Sequence, residues 1–188
     1  MYERYDGLIF DMDGTILDTE PTHQAAWQAV LSRYDMHFTM QDMIALNGST
    51  TRRIAQTIIA ANQREMDADK LTAEKTALVK TMLLDTVKPL PLIDVVKSWY
   101  GRRPMAVGTG SESAIADALL NHLNLRQYFT AVVAADHVQH HKPAPDTFLL
   151  CARLMSVEPQ KCLVFEDADF GLEAARRAGM DAVDVRSQ

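Results

Sequence analysis

Asp11 and Asp13 follow the apolar run Gly7-Leu8-Ile9-Phe10, Thr109-Gly110-Ser111 follows Met105-Ala106-Val107, and Glu166-Asp167 follows Leu163-Val164-Phe165; Lys142 lies in the loop beyond Ala131-Val132-Val133-Ala134. If these runs are strands of one parallel sheet, ligands bind outside their carboxyl ends and the polar residues converge there. Carboxylates without dedicated His or Cys ligands form a hard oxygen set that suits Mg²⁺. A lysine, a hydroxyl and small residues that expose backbone N–H groups suit the oxygens of a phosphate. The combined chemistry is phosphoryl transfer. Each part has a plainer reading: Asp13-Gly14 alone is a turn, Lys142-Pro143 alone a solvated loop, and Glu166-Asp167 alone helix N-terminal charge facing the macrodipole. Their joint order, each placed past a strand, favours chemistry.

The elements that must position these residues are legible as alternation. A further apolar run, Ala182-Val183-Asp184-Val185, closes the strand series. Helical spacing lies between the runs: Ile115, Leu119, Leu120 and Leu123; Phe148, Leu149, Ala152 and Met155; then Leu172, Ala175 and Arg176, closed by Gly179. Strands alternating with helices predict an α/β fold, a Rossmann-like doubly wound parallel sheet with helices on both faces. From Thr15 to Met105 the chain is far longer than the dozen or so residues a crossover needs. That stretch reads as helices, through His23, Ala26, Trp27, Val30, Leu31 and Tyr34, then Ile54, Ile58 and Ile59, then Leu71, Leu78, Val79, Met82 and Leu83. Val87-Lys88-Pro89-Leu90-Pro91 cannot continue a helix. The expected organisation is a core of residues 1–16 and 85–188 with a helical cap, 17–84, inserted.

Composition narrows the class. A chain of 188 residues with 47% apolar content has the material for a packed core, which excludes dominant disorder. The net charge is −6, from 19 Lys and Arg against 25 Asp and Glu, with no basic run longer than Arg102-Arg103 or Arg176-Arg177. No nucleic-acid partner is expected. The sequence contains no apolar stretch long enough for a membrane span and no signal-peptide pattern at Met1–Asp6, so a soluble, cytoplasmic protein is expected. Cys151 and Cys162 sit in apolar-patterned segments and read as buried thiols. His137, His140 and His141 lack the spacing and companion ligands of a zinc site.

Asp11-Met12-Asp13-Gly14-Thr15, Thr109, Lys142-Pro143-Ala144-Pro145-Asp146 and Phe165-Glu166-Asp167 resemble the four motifs of the haloacid dehalogenase superfamily. The insertion between the first two resembles the capped subclass that includes β-phosphoglucomutase and small-molecule phosphatases. Leu46-Asn47-Gly48-Ser49, Gly108-Thr109-Gly110-Ser111-Glu112 and His140-His141-Lys142 are similar to bacterial phosphatases acting on sugar phosphates such as fructose 1-phosphate and 6-phosphogluconate. The resemblance implies Asp11 as a nucleophile forming an aspartyl-phosphate, and Asp13 as the acid for the leaving group and base for the hydrolytic water. It implies Mg²⁺ held by Asp11, Asp167, the backbone carbonyl of Asp13 and, directly or through water, Glu166. Thr109, the Gly110 backbone and Lys142 would hold the phosphate oxygens. The partner is then a small sugar phosphate, and the chain a monomer or weak homo-oligomer.

Asp13 disfavours halide displacement, which needs no acid. The early position of Asp11 and the insertion disfavour a phospho-acceptor signalling module. A β-phosphoglucomutase shares every motif and stays open as an alternative. Substrate choice is expected from the cap. His23 is either packed at the cap core or a substrate contact, and Asn47 either follows a helix end or faces substrate. Arg52, Arg53 and Lys75 match mutase positions that meet a sugar phosphate, the arginines in either register, against a plainer reading as solvated helix charges.

Overall fold

The computed structural model describes residues 2–46 and 49–187. Strand β1 (Gly7–Phe10) leads to the two-residue β2 (Leu17–Asp18), helices α1 (Glu20–Ser32), α2 (Met40–Ala45), α3 (Thr51–Ala61) and α4 (Ala68–Thr86), and β3 (Lys88–Pro89). Then follow α5 (Ile93–Trp99), β4 (Met105–Gly108), α6 (Ser113–His122), β5 (Ala131–Val133), α7 (Asp146–Met155), β6 (Cys162–Glu166), α8 (Asp169–Arg177) and β7 (Asp181–Asp184).

The main sheet has the order β5-β4-β1-β6-β7 and is parallel throughout. β1 is central, with Phe10 in register with Val107 of β4 and Phe165 of β6. The chain builds outward through β4 and β5, then returns to the other side of β1 for β6 and β7. The β1/β6 boundary is therefore the topological switch point, where a cleft opens. Strand pleating sends Leu8 and Phe10, with Met105, Val107, Leu163 and Phe165, into one buried cluster alongside Ile93, Val96, Ile115 and Leu119 of α5 and α6. Ile9, Ala106, Val133 and Val164 face the other way with Phe148, Ala152, Ala174 and Ala175 of α7 and α8. Burial on both faces is why these strands read as unbroken apolar runs.

Helices α1 to α4 carry a cluster of their own, built from Trp27, Val30, Leu31, Met43, Ala55, Ile58, Ile59 and Leu71. Ala26 of α1 and Val79 and Leu83 of α4 join the sheet's cluster instead. The chain leaves for these helices and returns along an antiparallel ribbon, Leu17 beside Pro89 and Asp18 beside Lys88. α4 continues to Thr86, past the expected boundary at 84. Two helices had no counterpart in the periodicity. α2 has only six residues but carries a capping box between Thr39 and Asp42; α5 has seven, with Ile93, Val96 and Trp99 buried. Both cysteines are free and buried. Among the described residues no helix is long and apolar enough to cross a membrane.

Candidate active site

Asp11 is the first residue past β1, and its N–H extends the ladder to Phe165 O at 3.0 Å. Its Oδ1 accepts from Lys142 Nζ at 2.7 Å. The same ammonium donates to Glu166 Oε1 at 2.7 Å and Gly108 O at 3.0 Å, which uses all three of its donors. Lys142 is buried and stands 4.8 Å over the Phe148 ring. Burial alone would strip its proton, but the charges of Asp11 and Glu166 outweigh burial and hold its pKa above the usual lysine value.

Glu166 ends β6 fully buried, with Oε2 accepting from Ala168 N at 2.8 Å. Its carboxylate lies against the first turn of α8 so closely that a Cβ on Gly171 would stand 1.7 Å from Oε1. Asp167 accepts from Thr15 Oγ1 at 3.2 Å. Gly14, at φ +80°, passes beneath it, and a Cβ there would stand 2.3 Å from Asp167 Oδ2. Two glycines thus set where the acidic groups sit.

Asp11, Glu166 and Asp167 each offer a carboxylate oxygen within 4.8 Å of the others. One ammonium faces this trio, so negative charge is in excess in a desolvated space. Burial first, then the Glu166 charge, raises the pKa of Asp11 well above the carboxylate range against the pull of Lys142. Burial and Glu166 likewise push Asp167 up to about 7. A hard, all-oxygen donor set with surplus negative charge fits a divalent cation of the Mg²⁺ kind.

The Asp13 carboxylate lies outside that trio. Its Oδ1 accepts from Thr19 Oγ1 at 2.5 Å and pairs with His23 Nε2 at 3.0 Å. Its Oδ2 accepts from Ser111 Oγ at 2.9 Å and from Thr109 Oγ1 at 3.3 Å. Burial would raise its pKa, but the bond from His23, with those from the hydroxyls of Thr19 and Ser111, pulls it below the usual carboxylate range. Asp13 is ionised here. Lys75 Nζ stands 2.6 Å from His23 Nδ1. An ammonium only donates, so Nδ1 is the acceptor and the imidazole proton is on Nε2, directed at Asp13. Burial first, then the Lys75 charge, keeps the His23 pKa below its ordinary value. Burial also lowers Lys75 to about 8.

Asp11, Asp13, His23, Lys75 and Gly110 line one cleft, shared with Trp27, Met43, Ser49 and Ile54. Thr109 is buried behind it, turned toward Asp13. Arg52 and Arg53 are not among the lining residues: Arg52 is held at the surface by Asp69 of α4 at 2.5 Å, and the Arg53 guanidinium lies 4.8 Å over the Phe170 ring. Asn47 lies outside the described residues. Thr19 and Ser111 complete the cradle of Asp13 with little in the sequence to mark them as its partners. Ser111 stood in the small-residue run after β4, but Thr19 carried no signal beyond preceding a helix.

Compared with known proteins, residues 8–185 match the model of the haloacid dehalogenase-like hydrolase family. The chain is 73% identical over 186 residues to fructose-1-phosphate phosphatase YqaB of Escherichia coli, covering 99% of each. It is 30% identical to β-phosphoglucomutase of Bacillus subtilis over 95% of this chain and 82% of that one. The fold superposes on a crystal structure of β-phosphoglucomutase from Clostridium difficile with a TM-score of 0.84 at 24% identity, over 95% of this chain and 83% of that one. The chain belongs to the haloacid dehalogenase-like hydrolase family.

Proposed function

We propose that this haloacid dehalogenase-like hydrolase is a Mg²⁺-dependent phosphatase of small sugar phosphates, fructose 1-phosphate and 6-phosphogluconate among them. The observation that carries the reading is the division of labour between two aspartates on one turn. Asp11 is paired with Lys142 beside the carboxylate trio, while Asp13 is set apart in a hydroxyl and imidazole cradle. This difference in surroundings supports a reading in which Asp11 attacks and Asp13 moves protons.

Asp11 attacks phosphorus as the bond to the sugar oxygen breaks, giving an aspartyl-phosphate, and the departing alkoxide takes a proton from Asp13. Water then attacks the phosphorus, Asp13 accepts its proton, the phosphorus–Asp11 bond breaks and phosphate leaves. Asp13 is ionised here, as the second step needs. An anionic phosphate entering beside it raises its pKa and favours the protonated form for the first step. Asp11, Asp167 and Glu166, with the Asp13 carbonyl, would hold the cation, which supplies positive charge facing the phosphate oxygens. Lys142 offsets repulsion between Asp11 and the anionic substrate, and Thr109 and the Gly110 backbone hold the phosphate oxygens. Residues 17–84 act as the cap that closes the cleft.

The phosphatase reading over a mutase is supported by the cap's cations. A mutase must seat a bisphosphate, which calls for a second anion site across the cleft. Arg52 is committed to Asp69, Arg53 lies over Phe170, and Lys75 is engaged with His23. The test is to follow fructose 1-phosphate and β-glucose 1-phosphate by phosphorus NMR in one Mg²⁺ buffer. Steady phosphate release from the first without a bisphosphate activator is expected. Glucose 6-phosphate appearing faster than free phosphate, with stimulation by glucose 1,6-bisphosphate, would replace the phosphatase reading with the mutase.

A further inference from the structure

The buried residues of α3, Ala55, Ile58 and Ile59, pack into the cap's own cluster. Among the described residues no hydrogen bond or ion pair joins α3 to the core, and Arg52 pairs with Asp69 inside the cap. α3 reaches the core through Arg53, whose guanidinium lies 4.8 Å from the centre of the Phe170 ring on α8. The Arg53 side chain is exposed and makes no hydrogen bond or ion pair among the described residues. A guanidinium is planar and weakly hydrated, so it stacks on an aromatic face, and the negative face of the ring attracts it.

Phe170 is the second residue of α8 and half-buried, and its chain neighbours are fixed to the acidic groups. Ala168 N donates to Glu166 Oε2 at 2.8 Å, and Gly171 lies so close to Glu166 Oε1 that a Cβ has no room. Asp167, three residues before the ring, belongs to the carboxylate trio. A cap residue that grips this ring is therefore held in register with the trio. Arg53 lines a groove with Gly110 and His141, and Phe170 another with Gly14 and Asp167. Neither residue lines the cleft that contains Asp11 and Asp13.

We propose that Arg53 and Phe170 are positioning residues, a cation–π latch that holds α3 against α8 and keeps the cap shut over the trio during the transfer. The inference rests on the reading of residues 17–84 as a cap that closes the cleft, and adds the contact that holds it closed. Neither residue touches substrate, so the latch serves every phosphate ester equally. It favours the closed complex over the open enzyme, and that difference enters kcat/KM.

The experiment compares wild type, Arg53→Met, Phe170→Leu, their double variant and Phe170→Tyr on fructose 1-phosphate and p-nitrophenyl phosphate at saturating Mg²⁺. Arg53→Met keeps the apolar stem and removes the charge. In each of Arg53→Met and Phe170→Leu, kcat/KM should fall about fivefold on both esters alike, the scale of one cation–π contact. The double variant should lose no more than either alone, and Phe170→Tyr, which keeps the ring face, should match wild type. Acrylamide quenching of tryptophan emission reads closure directly, since Trp27 lines the cleft while Trp99, on α5 of the core, gives a constant background. Mg²⁺ with inorganic phosphate should shield Trp27 in wild type, and shield it less in Arg53→Met. Losses that add in the double variant, a loss confined to the sugar ester, a kcat/KM unchanged within about twofold, or equal shielding in wild type and Arg53→Met overturns the latch. A wild type in which Mg²⁺ and phosphate leave Trp27 unshielded overturns the closing cap itself, and the latch with it. A wild type that hydrolyses the aryl ester and no sugar phosphate overturns the sugar-phosphatase reading alone, and the latch is then decided on the aryl ester.

Discussion

Lys75 Nζ stands 2.6 Å from His23 Nδ1, so a residue of α4 fixes the tautomer of a residue of α1, and through it the hydrogen bond that reaches Asp13. Lys75 is buried and touches Trp27 through its charge, 5.5 Å from the ring centroid. Its only described hydrogen bond is to the imidazole. The pair links the helices to the turn that carries Asp11 and Asp13 by protons rather than by packing alone.

This linkage gives the activity an alkaline limit. With Lys75 at about 8, its ammonium is present below that pH and lost above it, and the neutral amine no longer enforces the Nε2–H tautomer. The value of kcat/KM for fructose 1-phosphate should therefore decline above pH 8. Lys75→Arg, which keeps its proton throughout, should carry the limb to higher pH at some loss of maximal rate. A limb that stays in place in Lys75→Arg assigns it to another group.

The acidic trio makes a second prediction about stability. Asp167 is raised from 3.8 to about 7, so between those values the folded state binds the proton that the unfolded state has released. The resulting stability is fully present below pH 3.8 and lost as pH rises through 7. In EDTA the melting temperature should rise when pH is lowered from 8 to 6. Saturating Mg²⁺ should raise it most at pH 8 and flatten the dependence. Asp11→Asn should remain folded, melt no lower than wild type in EDTA and release no phosphate. A pH-independent melting temperature in EDTA would count against the crowded trio.

Gly171 offers a test of packing behind the site. In an exposed helix interior, Gly→Ala stabilises by about 1 kcal/mol. Here the added methyl would stand 1.7 Å from Glu166 Oε1, and Glu166 is tied to Lys142 and Ala168 N. Gly171→Ala should instead destabilise by on the order of 3 kcal/mol and cut activity by displacing Lys142 from Asp11. Urea unfolding and phosphate release measured on one preparation decide it.

The strands were legible because each is buried on both faces, so Leu8-Ile9-Phe10 or Leu163-Val164-Phe165 can hold only apolar residues. The polar groups past their ends were legible for the same reason, since an abrupt change to Asp11 or Glu166 marks where the sheet stops. What lay hidden was contact across elements. Nothing in the order of residues says that Thr19, His23 and Ser111 meet on one carboxylate, or that Arg52 of α3 finds Asp69 of α4. A charged residue on a helix carries a period but no address for its partner. Gly171 was silent too, because its meaning is the Glu166 side chain beside it.

Asp13 is the residue whose proposed role is most exposed to failure. Its four hydrogen bonds are all made by side chains, from Thr19, His23, Thr109 and Ser111, so Asp13→Asn changes the proton chemistry while keeping the shape. The amide nitrogen would face donors where the carboxylate had only acceptors, but the packing is preserved. In the proposed role of acid and base in successive steps, Asp13 would act in both formation and breakdown of the aspartyl-phosphate, and its loss should lower the rate on fructose 1-phosphate by at least ~10². A p-nitrophenolate leaves without a proton, so with the aryl ester only breakdown should suffer. A pre-steady-state burst of nitrophenolate, equal to one per chain and followed by slow turnover, is the expected signature in the variant. Equal losses on both esters with no burst would remove the acid–base role and leave Asp13 as a support for the turn that carries Asp11.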